Sequence, residues 1–195
     1  MISRQQKFLN SWHSSQDYKP LMSPKLLTAK EIRQHNSCSD KPTIAVLLCG
    51  SRDFDDEDRL QAVFVALFNV FNTKLLISGG ARGADSYAPQ LASQWGVDLI
   101  EVYPDWGMHG KGAGPKRNQQ MLDVLLNQSV VNRLIVSFWN GSSRGTYDMM
   151  VRGLQASVPV LCCFQDQAIL LNPLKNDVAD LRNALNLYSR QAIQL

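Results

Sequence analysis

A chain of 195 residues, 45% hydrophobic and 19% charged, is long enough for one ordinary domain with a real core and an additional arm. A net charge of +3 neither demands nor excludes nucleic acid, and no apolar run approaches the ~20 residues that span a bilayer. The four cysteines (Cys38, Cys49, Cys162, Cys163) lack CxxC spacing and the three histidines are scattered, which argues for reduced thiols and against a disulfide frame or a metal site.

Residues 1–42 are polar and irregular, with Ser14-Ser15, Pro20, Pro24 and Pro42 as punctuation. Only Pro24 to Gln34 has helical character, so this stretch is expected to be an arm, either disordered or docked through Phe8, Trp12 and Tyr18. It has no apolar segment of the secretory kind, and the expected location is cytoplasmic.

Thr43 to Cys49 is a continuous apolar run, as expected of a parallel strand covered on both faces. Gly50-Ser51-Arg52-Asp53 breaks it. From Asp56 to Phe71 the apolar residues recur at three- and four-residue steps, which predicts an amphipathic helix with Asp53, Asp55 and Asp56 as N-cap candidates. Lys74 to Ser78 is the second predicted strand. The turn Gly79-Gly80-Ala81-Arg82-Gly83 follows, then a helix predicted from Ala84 to Trp95, with Gly96 just beyond its end.

Val97 to Tyr103 is the third predicted strand, and Pro104 to Ala113 a loop containing Trp106, His109 and Lys111. Gly114-Pro115 is expected to open the next helix, with proline at its first position and Arg117 and Asn118 in its first turn. Arg133 to Trp139 is the fourth strand. The turn from Asn140 to Thr146 then leads into a helix to about Ala156, and Val158 to Phe164 is the fifth strand. The last segment, Pro173 to Arg190, carries an apolar stripe that suits a helix packed on its own core and leaves homodimerisation or higher assembly open.

Strands alternating with helices predict an α/β fold: a Rossmann-like three-layer sandwich with a mostly parallel sheet of at least five strands. The predicted division is an arm over 1–42, a domain over 43–165 and a C-terminal helical extension over 166–195. In such a sheet the loops after the strands converge on one edge. Here they bring together Gly50, Ser51, Arg52, Gly79, Gly80, Arg82, Gly83, Trp106, Lys111, Gly114, Arg117, Asn118, Ser143, Arg144, Gly145 and Thr146. Glycine N–H groups, cationic side chains and small hydroxyls in one place suit a phosphorylated ligand, and Trp106 could stack on a base. The dinucleotide fingerprint GxGxxG after the first strand and the GxxxxGK[ST] phosphate loop are both missing, so an ordinary NAD dehydrogenase and a P-loop NTPase drop out. No cofactor or metal is expected.

The motifs Gly50-Ser51-Arg52-Asp53, Gly79 to Asp85, Tyr103-Pro104-Asp105-Trp106, Gly110 to Asn118 and Phe138 to Thr146 resemble, in this order, those of the SLOG superfamily. This is the Rossmann-like group that contains the DprA DNA-processing proteins and the LOG phosphoribohydrolases, and the likeness is nearest to its YspA-like branch. The resemblance covers about residues 43–165. It implies a nucleotide or nucleotide-derived ligand, such as an ADP-ribose-like compound, held across the loops by a sensor or binding protein. Cleavage of a base–ribose bond, as by LOG enzymes, is the alternative it implies, with Asp85 and Asp148 as catalytic candidates. Met149 stands where the glutamate of the LOG PGGxGTxxE motif would be. Asp85 has three readings from the sequence: sugar contact, catalyst or helix cap. A DprA-like single-strand DNA binder is a third reading, weakened by the low net charge. The expected partner is therefore a small-molecule nucleotide, with no membrane.

Overall fold

The computed structural model describes residues 41–130 and 132–172. The arm, apart from its last two residues, and the helix expected over Pro173 to Arg190 lie outside the described residues. The elements run β1 (Thr43–Gly50), α1 (Glu57–Val70), β2 (Asn72–Ser78), a 3-10 turn (Gly83–Tyr87), α2 (Ala88–Trp95), β3 (Asp98–Glu101) and the short α3 (Trp106–His109). A second 3-10 turn (Gly110–Gly112), α4 (Ala113–Leu126), β4 (Asn132–Trp139), α5 (Arg144–Gln155), β5 (Val160–Phe164) and β6 (Gln167–Leu171) complete them.

The six strands form one sheet in the order β3-β2-β1-β4-β5-β6, parallel except for β6, which pairs antiparallel with β5. Side chains alternate across β1, so its two faces feed two separate cores. Ile44, Val46 and Leu48 pack with Leu60, Phe64 and Phe68 of α1 and with Leu91 and Trp95 of α2. Ala45, Leu47 and Cys49 pack with Met121 and Leu125 of α4 and with Met149 and Leu154 of α5. The result is the expected three-layer Rossmann-like sandwich. No helix among the described residues is long and apolar enough to cross a membrane.

Four local differences from the sequence reading have physical causes. The helix expected from Ala84 is a 3-10 turn until Ala88, because a continuous α-helix would set the Pro89 ring against the Asp85 carbonyl. Helix α4 begins at Ala113, so Pro115 takes its third position rather than its first; the 3-10 turn before it supplies the nucleus, and a first-turn proline gives up no helical hydrogen bond. Strand β3 is four residues long rather than seven, since it lies at the sheet edge and pairs with β2 alone. Strand β6, read from the sequence as the start of the extension, belongs to the sheet. Its turn, Gln165-Asp166, holds Gln165 at φ 48° with none of the glycine or asparagine that marks a hairpin.

Candidate functional site

The strand order reverses between β1 and β4: the helix after β1 lies on one face and the helix after β4 on the other. A doubly wound sheet opens a crevice beyond the carboxyl ends of such a pair. At this edge lies a cleft of about 870 Å³. Gly50, Arg52, Arg82, Asp85, Trp106, Lys111, Gly114, Arg117, Asn118, Ser143, Arg144, Gly145, Thr146 and Asp148 all line it. Of the residues singled out in the sequence, Ser51, Gly79, Gly80 and Gly83 stand behind its wall.

Those four have structural work. Ser51 is buried and its Oγ accepts from the Asn140 N–H at 3.0 Å, while the Ser51 N–H donates to the Phe138 carbonyl at 2.8 Å. A Cβ on Gly79 would collide with the Arg117 guanidinium, one on Gly80 with the Tyr103 ring, and one on Gly83 with the Ser51 carbonyl. Gly83 also sits at φ +79°, where a side chain is strained. These glycines let the loops close on one another.

The turn after β2 was expected to offer its N–H groups to a phosphate. Two of them, those of Gly79 and Ala81, are turned to Asp85, and the Gly80 N–H donates to Ser78 Oγ at 3.3 Å. The Ala81 N–H donates to Asp85 Oδ2 at 3.5 Å, and the N–H groups of Gly79 and Gly50 also lie near this carboxylate. Arg117 Nη1 approaches the same Oδ2 at 3.4 Å. The Ser78 hydroxyl donates to the Asp85 backbone carbonyl at 3.2 Å and so fixes the residue from below. Asp85 is only 2% exposed, and its Oδ1 is buried with no hydrogen bond among the described residues. Burial drives its pKa up, and the opposing pull of Arg117 and the three N–H groups limits the rise to about 6. The neighbouring Cys49 thiol, on the cleft floor, is held well above its ordinary pKa by burial first and by Asp85 second, so it remains protonated.

The second candidate carboxylate is placed differently. Asp148 Oδ2 accepts from Asn118 Nδ2 at 2.9 Å and from Arg152 Nε at 2.8 Å, and Asn118 also donates to the Gly145 carbonyl at 3.0 Å. Asp148 thus fastens α4 to α5 at the cleft wall. Met149, at the position of the LOG glutamate, is fully buried in the core.

Around the mouth, the chemistry is cationic. Five cationic side chains (Arg52, Arg82, Lys111, Arg117, Arg144) face three carboxylates (Asp53, Asp85, Asp148). Arg52, Arg82, Lys111 and Arg144 make no hydrogen bond or ion pair among the described residues. They line the same cleft as the N-terminus of α5, whose N-cap Ser143 accepts from the Thr146 N–H at 3.4 Å. The N–H groups of Arg144 and Gly145, at the first two helical positions, have no acceptor within the helix. A Cβ on Gly145 would meet nothing within 4 Å, so this helix end is open. Trp106, half exposed, lies over Gly114 in the lining of the cleft.

Asn140 was not singled out from the sequence. Its Nδ2 donates to both Asp53 oxygens, at 3.0 and 2.9 Å, and its Oδ1 accepts from the N–H groups of Ser142 and Ser143 at 3.0 and 2.8 Å. It therefore joins the loop carrying Arg52 to the loop carrying Arg144. The signal available was an asparagine directly after a strand and two residues before serines, the pattern of an Asx turn.

Residues 44–109, from β1 through α3, match the model of the YspA, cpYpsA-related SLOG family. The chain belongs to this family. It is also similar to the Gene 61 protein of Mycobacterium phage D29, at 32% identity over 127 residues that cover 60% of this chain and 93% of the phage protein. Membership in the SLOG family points to a nucleotide-related binding or glycosidase-like function, as the motifs had implied.

Proposed function

We propose that the cleft binds a nucleotide or nucleotide-derived ligand of the ADP-ribose kind, as a sensor or binding protein. The observation that carries this reading is the set of four cationic side chains, without partners among the described residues, that line one cleft together with the open N-terminus of α5. Cationic side chains gathered in one cleft repel one another, and an anion at the helix N-terminus among them relieves that repulsion. The phosphate is assigned to the N–H groups of Arg144 and Gly145, with Arg52, Arg82 and Lys111 neutralising its charge. The base is assigned to Trp106. The turn after β2, whose Gly79 and Ala81 N–H groups are already turned to Asp85, shapes the inner end of the cleft.

A thermal-shift panel of nucleotides tests this. A nucleotide at one hundred times its dissociation constant stabilises the fold by about 2.7 kcal/mol, which is several degrees for a domain of this size. No shift with any phosphate-bearing compound at millimolar concentration would overturn the reading.

A second reading, cleavage of a base–ribose bond in a nucleoside monophosphate, is favoured by one observation. Asp85 is a buried carboxylate at the inner end of the cleft whose pKa is pushed up to about 6, a value suited to proton transfer near neutrality. Release of free base from a nucleoside monophosphate at high protein concentration, lost in Asp85→Asn, is the result expected of that enzyme.

A further inference from the structure

We infer that Asp85 is the specificity-determining group of the cleft, its Oδ1 accepting a hydrogen bond from a hydroxyl or amine at the inner end of a phosphorylated ligand. The inference rests on the reading of the cleft as a phosphate-binding site and adds the chemistry required at the other end of the ligand.

The argument begins with the imbalance around one carboxylate. Oδ2 takes both of its donors, Arg117 Nη1 and the Ala81 N–H, at long distances of 3.4 and 3.5 Å. Oδ1 takes none among the described residues, although Asp85 is 2% exposed and lines the cleft. Buried carboxylate oxygens are ordinarily hydrogen-bonded, and an oxygen without a donor marks a position a ligand can complete.

Of the side chains beside it only Arg117 is a strong donor, and its Nη1 approaches Oδ2 while its Nε, also buried, has no partner among the described residues. Met121 carries no strong donor, and the protonated Cys49 thiol is a weak one. The groups facing Asp85 are Arg117 from α4, Cys49 and the Gly50 N–H from β1, and the Gly79 and Ala81 N–H groups from the turn after β2. Ser78 locks the Asp85 backbone, so the carboxylate is presented by a fixed support.

The ligand class follows from the charge pattern. A phosphate belongs with the unpaired cations of the rim, and a second anion at the inner end would meet the Asp85 carboxylate. The inner group is therefore a neutral donor, which in a nucleotide is either a ribose hydroxyl or an exocyclic base amine. Bare phosphate satisfies the rim and leaves Oδ1 as it is.

Calorimetric titration of the full chain with four probes tests this: inorganic phosphate, adenosine monophosphate, its 2′,3′-dideoxy analogue and purine riboside monophosphate. The first analogue removes the hydroxyl donors and the second the amine, so they separate the two sources. At pH 7.5, wild type is expected to bind adenosine monophosphate about tenfold more tightly than one of the two analogues, the worth of one charge-assisted hydrogen bond. In Asp85→Asn that ratio is expected to shrink towards about twofold while the affinity for inorganic phosphate holds or rises. The same ratio should narrow in wild type as the pH falls from 7.5 to 5, because Asp85 takes up a proton while the probes' phosphates titrate alike. This readout needs no variant.

If the ratio persists both in Asp85→Asn and at pH 5, or if wild type binds adenosine monophosphate and both analogues equally, Asp85 is not the selecting group and the phosphate cleft stands without it. If wild type binds none of the four probes, the phosphate cleft itself falls and takes this inference with it.

Discussion

The turn after β2 and the turn after β4 carry similar equipment, glycine with one arginine beside small or hydroxyl residues, and both reach the same cleft. They use it in opposite ways. In the first turn Gly79 and Gly83 stand against Arg117 and the Ser51 carbonyl, and the Gly79 and Ala81 N–H groups face the chain's own Asp85 while that of Gly80 donates to Ser78. In the second, Gly145 has no neighbour within reach of a Cβ, and the leading N–H groups of α5 face the cleft. The first turn is filled by the protein and the second is open. Glycine in a loop therefore means two things here: close approach of protein to protein, or, on the proposed reading, close approach of ligand to backbone.

The sharpest way to break this comparison is to put the same methyl on both turns. Gly83→Ala places a Cβ at φ +79° and against the Ser51 carbonyl. Left-handed strain and a backbone clash together are expected to remove about 2–5 kcal/mol of stability. Chemical denaturation would read this as a large fall in midpoint. A loss within experimental error would show that the first turn is not packed as described.

That contrast was only partly legible in the sequence. The strand–helix alternation, and the site edge it creates, could be read because runs such as Thr43 to Cys49 are apolar throughout and the helix from Asp56 has an uninterrupted apolar face. The identity of the anion in the first turn could not. Asp85 lies only a few residues beyond Gly79, and its side chain turns back into the turn because Pro89 keeps the segment from becoming a regular helix. The companion of Asp85, Arg117, comes from thirty-two residues further on, a distance across which no periodicity speaks. Asn140 escaped notice for a similar reason, since its partner Asp53 belongs to another loop, eighty-seven residues away.

The next effect in size concerns the buried carboxylate. Because the folded-state pKa of Asp85 lies above the value in an unfolded chain, the folded state holds this proton more tightly. Its contribution to stability is complete below about pH 4 and is lost as the pH rises through about 6. A shift of roughly two units corresponds to about 3 kcal/mol. Asp85→Asn should abolish that slope, so the stability difference between wild type and variant is expected to change by about this amount from pH 4 to pH 7 and then level off. Other carboxylates titrate alike in both proteins, and the difference isolates Asp85. A flat difference would mean that its environment is wetter than the packing implies.

A smaller effect tests the second turn. Ser143→Ala removes the hydroxyl that accepts from the Thr146 N–H at the start of α5. Loss of an N-cap is expected to lower stability by about 1 kcal/mol. The same variant should weaken phosphate-bearing ligands, because the N–H groups proposed to hold them then lie on a fraying helix end. Equal ligand affinity in spite of the lost cap would place the phosphate elsewhere on the rim.

The smallest expected change in stability is the most informative partner for Gly83→Ala. Gly145 is the second residue of α5, in helical conformation, and a Cβ there meets nothing within 4 Å. Gly145→Ala should therefore leave stability unchanged or raise it by up to about 1 kcal/mol, since alanine gives up less conformational freedom in a helix. Its methyl would stand in the cleft beside the N–H groups assigned to the phosphate. Affinity for a nucleotide should fall several-fold while the denaturation midpoint holds or rises, a combination that only crowding of the ligand by an otherwise harmless methyl produces. If affinity is retained with the midpoint, the open end of α5 is not where the phosphate sits, and the unpaired cations of the mouth must hold it by side chains alone.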